Sequence, residues 1–102
     1  MAIEFTEQTK ENLLALFKTD KGFSSSAFDS RIENYLTDAA ERMQQLGITI
    51  DFESVSDLEL IVFYARYLWT TRNTGERMWA GLKSALNDRL FSEKMRDAHN
   101  GL

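Results

Sequence analysis

No proline occurs anywhere in the 102 residues of this chain. Proline ends helices because it lacks an N–H and its ring clashes with the preceding turn. Its absence leaves room for long unbroken helices, and the apolar residues are spaced to use it. Phe28, Ile32, Tyr35, Leu36, Ala39, Met43 and Leu46 recur at steps of three and four, the period of one helix face. Ser26, with Asp29 three residues on, has the capping-box pattern, and Ser24 and Ser25 compete as the cap. Gly47 suits the left-handed position just past the helix end. Arg31, Glu33, Asp38, Glu41, Arg42 and Gln44 fall between the apolar positions and form a wet face.

Three further helices are expected. The first runs from about residue 7 to 18, capped by Thr6, with Leu13, Leu14, Leu16 and Phe17 apolar. Asp20-Lys21-Gly22 then reads as a turn. The third starts at Ser56, where Ser56-Asp57-Leu58-Glu59 has the capping-box pattern, and continues to about Arg72. Its stripe of Leu58, Ile61, Val62, Ala65, Leu68 and Trp69 is backed by Leu60, Phe63, Tyr64 and Tyr67 on the opposite side. A helix apolar nearly all round is central in its domain or shared with a partner. After a turn at Asn73-Thr74-Gly75, a fourth helix points Met78, Leu82, Ala85, Leu86 and Leu90 inward, with Trp79 to one side. Two stretches change period: Ile48-Thr49-Ile50-Asp51-Phe52 and Ile3-Glu4-Phe5 alternate apolar and polar, as strands do.

The expected fold is therefore all-α, a small bundle of four helices with a minor two-stranded β patch. Its expected core holds Phe28, Ile32, Leu36, Ala39, Met43, Ile61, Ala65, Leu68, Leu82 and Leu86. Residues 1–92 form the single domain. The pattern fades after Phe91, so residues 93–102 are expected to be a flexible C-terminal tail.

Composition narrows the chemistry. There is no cysteine, which excludes disulfides, zinc-thiolate sites and thiol nucleophiles. The first residues lack the basic region and apolar run of a signal peptide. The apolar-rich stretch from residue 58 to 69 is interrupted by Glu59 and Arg66 and is too short to span a bilayer. The chain is expected to stay in the compartment where it is made, with no membrane partner. The net charge of −4 disfavours nonspecific nucleic-acid binding. That charge is uneven: residues 1–56 carry −5, whereas residues 57–102 carry +1 and five of the seven arginines.

Candidate catalytic groups are sparse. His99 is the only histidine and lies in the polar tail, where a general base would lack a fixed partner. Ser24-Ser25-Ser26 lacks the glycines of a nucleophile elbow. The glycines at 22, 47, 75, 81 and 101 build no phosphate-cradling loop. Asp51 and Glu53 lack the spacing of a calcium loop. No enzyme, metal or cofactor is expected.

The aromatic residues say more. Phe63, Tyr64, Tyr67, Trp69 and Trp79 fall among Arg66, Arg72 and Arg77, the residue types enriched at protein–protein contacts. Trp69 lies on the main stripe and reads as core. Tyr67 and Trp79 suit core and interface equally. A DNA-reading helix is disfavoured, since Glu76 and Asp88 sit among the bases of the fourth helix.

The layout resembles a known family. Ile32-Glu33-Asn34-Tyr35-Leu36-Thr37-Asp38-Ala39-Ala40 precedes a short polar loop. Ser56-Asp57-Leu58-Glu59-Leu60-Ile61-Val62-Phe63-Tyr64-Ala65-Arg66-Tyr67-Leu68-Trp69 follows, then a break near Thr71-Arg72-Asn73. Leu82-Lys83-Ser84-Ala85-Leu86-Asn87-Asp88-Arg89-Leu90 closes the pattern. From about residue 10 to 92 this resembles the small head–tail connectors, or adaptors, of tailed phages and prophages. The resemblance implies a structural virion protein, made in the host bacterial cytoplasm, that binds no cofactor and catalyses nothing. It implies a homo-oligomeric ring of about twelve copies below the portal protein. Such a ring extends the DNA channel, with DNA only as passing cargo, and docks a stopper or tail-completion protein.

Two interfaces are then expected. Between copies, the acidic face of Glu33, Asp38 and Glu41 opposes arginines such as Arg66, Arg72 or Arg77, with Tyr67 and Trp79 nearby. Toward the portal, the tail orders on binding, with Lys94, Met95, Arg96 and Leu102 as its contacts. The competing reading is a small cytoplasmic helical interaction module or regulator that acts as a dimer.

Overall fold

The computed structural model describes residues 5–21, 26–72 and 74–100, with side chains at all of these except 20, 21 and 97–100. Four helices follow in order: α1 (Glu7–Lys21), α2 (Asp29–Leu46), α3 (Val55–Thr71) and α4 (Ala80–Asn100). The all-α expectation holds, and no strand occurs among the described residues. Residues 48–51 run without regular structure. Phe5 does meet Phe52, edge to face at 5.8 Å, and the described residues of the two alternating stretches show this aromatic contact and no β patch. Ile3 and Glu4 lie outside the described residues.

Helix α1 starts as its sequence predicts, with the Thr6 hydroxyl accepting the Thr9 N–H at 3.2 Å. It buries Leu13 and Phe17 completely and runs on to Lys21, through two residues read as a turn. Helix α2 buries Ile32, Leu36, Ala39, Ala40 and Met43. Gly47 ends it at φ 107°, with the Gly47 N–H on the Gln44 carbonyl and the Ile48 N–H on the Met43 carbonyl. This pair of bonds is the Schellman arrangement, and it requires a residue tolerant of positive φ.

Two helix starts differ from expectation. The residue preceding α2 is Phe28, which makes no side-chain cap bond; Ser26 instead contributes its carbonyl to the Asp29 N–H. Ser24 and Ser25 lie outside the described residues. Helix α3 is capped by Ser54, whose hydroxyl accepts the Asp57 N–H, two residues before the expected Ser56. The reason is that Asp57 is drawn inward by partners described below.

Helix α3 is the axis of the fold, packing on α2, α1 and α4. Leu58, Leu60, Ile61, Val62, Tyr64 and Ala65 are all buried, so its all-round apolar character is consumed largely within the chain. Most expected core positions are confirmed: Ile32, Leu36, Ala39, Met43, Ile61, Ala65, Leu82 and Leu86 are buried. Two are not. Leu68 is half-buried against the core. Phe28 is 44 % exposed, because it precedes α2 and lays its ring on the edge of Trp69 at 5.9 Å.

A candidate interaction surface on helix 4

Helix α4 changes its apolar side along its length. In its first half, Leu82 and Leu86 face the core and are buried. Arg89 and Glu93 continue the same face at steps of three and four, so a polar pair occupies the inner side of the second half. Meanwhile Phe91 and Met95, one turn apart, stand 65 % and 56 % exposed on the outer side. The expected boundary at Ser92 is thus not a break in structure: α4 continues to Asn100, and Glu93 is only 5 % exposed.

The inner polar pair is fully engaged. Arg89 Nε donates to Asp57 Oδ1 at 2.9 Å and its Nη2 to Asp57 Oδ2 at 3.2 Å. Arg89 Nη1 donates to Glu93 Oε1 at 3.0 Å, and Nη2 also reaches the Thr49 carbonyl at 2.8 Å. Glu93 Oε1 accepts the Thr49 N–H at 2.9 Å, and Arg96 donates to Oε2. Asp57, 4 % exposed, accepts the Asp51 N–H at 2.9 Å. The result is a latch that ties α4 to the α2–α3 connection and to the first turn of α3. The Thr49 N–H above all, with Arg96 and Arg89, holds the Glu93 carboxyl below its ordinary pKa despite the cost of burial. The Asp57 hydrogen bond raises the Arg89 pKa further above its already high value.

Beside the latch lies an open groove of about 400 Å³ between α3 and α4, lined by Leu60, Phe63 and Ala85 with Glu59 and Asp88 on its banks. Phe63 also borders a second hollow of about 280 Å³ toward α1, with Leu16, Val62 and Arg66. Among the described residues, no group of three or more His, Asp or Glu side chains is placed to hold a metal ion. No described helix is long and apolar enough to cross a membrane.

The residues expected at interfaces are scattered differently. Tyr67 and Trp79 pack on each other at 5.3 Å, and the Tyr67 hydroxyl donates to the Glu76 carbonyl at 2.9 Å. Both are half-buried against the core. Arg72 lays its guanidinium 4.8 Å over the Trp69 ring and donates to the Trp69 carbonyl; Arg77 is exposed. On α2, Glu33, Asp38 and Glu41 are half-buried, and Asp38 holds Arg42 at 3.0 Å. Lys94 and Met95 are exposed, whereas Arg96, though exposed, is tied to Glu93. Leu102 lies outside the described residues. Sequence reasoning missed the latch and Phe91. The signal was present: Leu82, Leu86, Arg89 and Glu93 share one helical face, so charged residues prolong the inner stripe just where apolar residues appear opposite.

Comparison with known protein families, characterised proteins and solved structures gave no match to this chain.

Proposed function

We propose that this chain is a structural, non-catalytic assembly protein, a head–tail connector of a tailed-phage virion. In this reading it forms a ring below the portal, extends the DNA channel and docks the next neck protein. The single observation that supports an assembly role is the outward pair Phe91 and Met95 on α4. A helix of a lone small domain turns its apolar residues inward; here a charged latch fills the inner face and leaves large apolar side chains in water. Lys94, Met95, Arg96 and Leu102 at the same end are the proposed portal contacts. The resemblance in layout supplies the phage setting. The acidic face of α2 remains a candidate rim contact, although Asp38 and Arg72 already have partners within the chain.

Native mass spectrometry with and without portal particles tests the proposal. A ring recovered on the portal is the expected result. A fixed small oligomer that ignores the portal would favour the dimeric regulator instead.

A further inference from the structure

We infer that the outer ridge of α4, Phe91 and Met95, seats in the groove between α3 and α4 of a second copy of this chain. The inference rests on the assembly reading above and assigns Lys94 and Met95 to the contact between copies rather than to the portal.

Three observations converge on it. First, the ridge is a helix-in-groove element: two large apolar side chains four residues apart on a continuous helix, the spacing such grooves accept. In the sequence, Ala98 and Leu102 prolong the same three–four spacing. Second, the groove has an apolar floor of matching kind, with Leu60, Phe63 and Ala85 lining it. Third, the charges are complementary. Glu59 and Asp88 are exposed on the two banks of the groove. The arginine in that groove, Arg89, is already bound to Asp57 and Glu93, so the acids dominate. The ridge carries exposed Lys94 between Phe91 and Met95 in the chain, one turn from Phe91. A neighbour's ridge would thus bring a cation to acidic banks, which sets register and partner choice.

The absence of cysteine from the whole chain makes a direct test simple. Full-length chains carrying Met95→Cys are mixed with chains carrying Ala85→Cys, oxidised, and scored for the mixed disulfide. Met95→Cys mixed with Ser30→Cys, on an exposed position of α2, is the control. The mixed Met95–Ala85 product should dominate. Phe91→Asp should weaken self-association roughly thirty-fold, the loss typical of a central aromatic anchor, while its thermal melt matches the parent. Lys94→Glu should weaken it as well, and Glu59→Lys should restore it. Equal yields with the Ser30→Cys control, or association indifferent to Phe91→Asp, would overturn the inference. A chain that binds portal particles but stays monomeric until then, with no Met95–Ala85 product on the particle, would overturn it and leave the connector reading standing. Association through the groove without any portal binding would sustain it and remove the connector reading.

Discussion

Helices α2 and α4 both pack on α3, yet they are held there by different forces. Helix α2 is held by dry packing: Ile32, Leu36, Ala39, Ala40 and Met43 are each fully buried. Helix α4 has one such residue, Leu82, with Leu86 nearly so, and then a charged latch through Arg89 and Glu93. Apolar burial is non-directional and scales with area. A charged network depends on geometry and gains little over an apolar replacement, while the loss of one member is costly. The body of the fold is thus built for tenacity. The distal half of α4 is built for position, and that leaves its outer face available to a partner.

The largest effects should fall in the dry part. Ile61, fully buried at the centre of α3, should lose about 2–5 kcal/mol on change to alanine in urea melts. Leu68→Ala, at a half-buried site on the same helix, should cost about half as much or less. Equal losses would mean that α3 is not the axis on which the other helices pack.

The latch should come next. Replacing Arg89 with leucine strands Asp57 as a buried carboxylate without its cation and leaves Glu93 with Arg96 alone. The expected loss is about 2–4 kcal/mol, below that of a fully buried pair because the Arg89 side chain is 18 % exposed. Proton linkage gives an independent handle. The Glu93 pKa is lowered from its ordinary 4.5, so its stabilisation is fully present above that value. It is lost as pH falls through the lower folded value. Stability measured by melts should be insensitive to Glu93 titration at pH 5–7 and fall below about pH 4.5. Glu93→Gln should remove that part of the acid dependence and lower stability at neutral pH. An unchanged acid limb would show that Glu93 does not act in the latch.

Truncation sharpens the same comparison at smaller cost. A chain ending at Ser92 loses Glu93 and with it both bonds to Thr49 and Arg89. It should melt measurably earlier, with a loss of about 1–3 kcal/mol. A chain ending at Arg96 keeps the latch and should melt as the full chain does. If both melted alike, residues after 92 would be a tail after all, as the fading sequence pattern suggested.

What could be read beforehand follows from the same division. Helices α1 to α3 and most of the core were legible because apolar spacing reports dry packing directly. Gly47 was legible because positive φ selects for it. Phe28 misled because it continues the α2 spacing one residue before the helix begins. The inward face of Arg89 and Glu93 was legible from their spacing after Leu82 and Leu86, but their partners were not, because Thr49 and Arg89 lie 40 positions apart and no local pattern encodes such a bond. Phe91 follows Leu90 directly and so marked only where the apolar pattern fades, although its spacing from Leu82 and Leu86 puts it opposite the inner face.

The smallest predicted effect decides between two serines. Ser54 and Ser56 both have an acid three residues on, Asp57 and Glu59, and sequence alone favours the later pair. The folded chain uses the earlier one. Asp57 is held inward by Arg89 and by the Asp51 N–H, which places it in the first turn and leaves its own N–H facing the Ser54 hydroxyl at 3.4 Å. Glu59 remains exposed on the groove bank. At that length the cap bond is weak, so Ser54→Ala should cost about 0.5 kcal/mol, the low end for a lost cap. Ser56→Ala, at an exposed helical position, should be neutral or slightly stabilising, since alanine has the better helix propensity. Paired denaturant melts resolve the difference, and a larger loss at Ser56 would move the start of α3 back to where the sequence pattern put it. Combining Ser54→Ala with Arg89→Leu adds a final check. Without Arg89, Asp57 keeps only the Asp51 N–H, the cap bond is less firmly positioned, and the Ser54 effect should shrink.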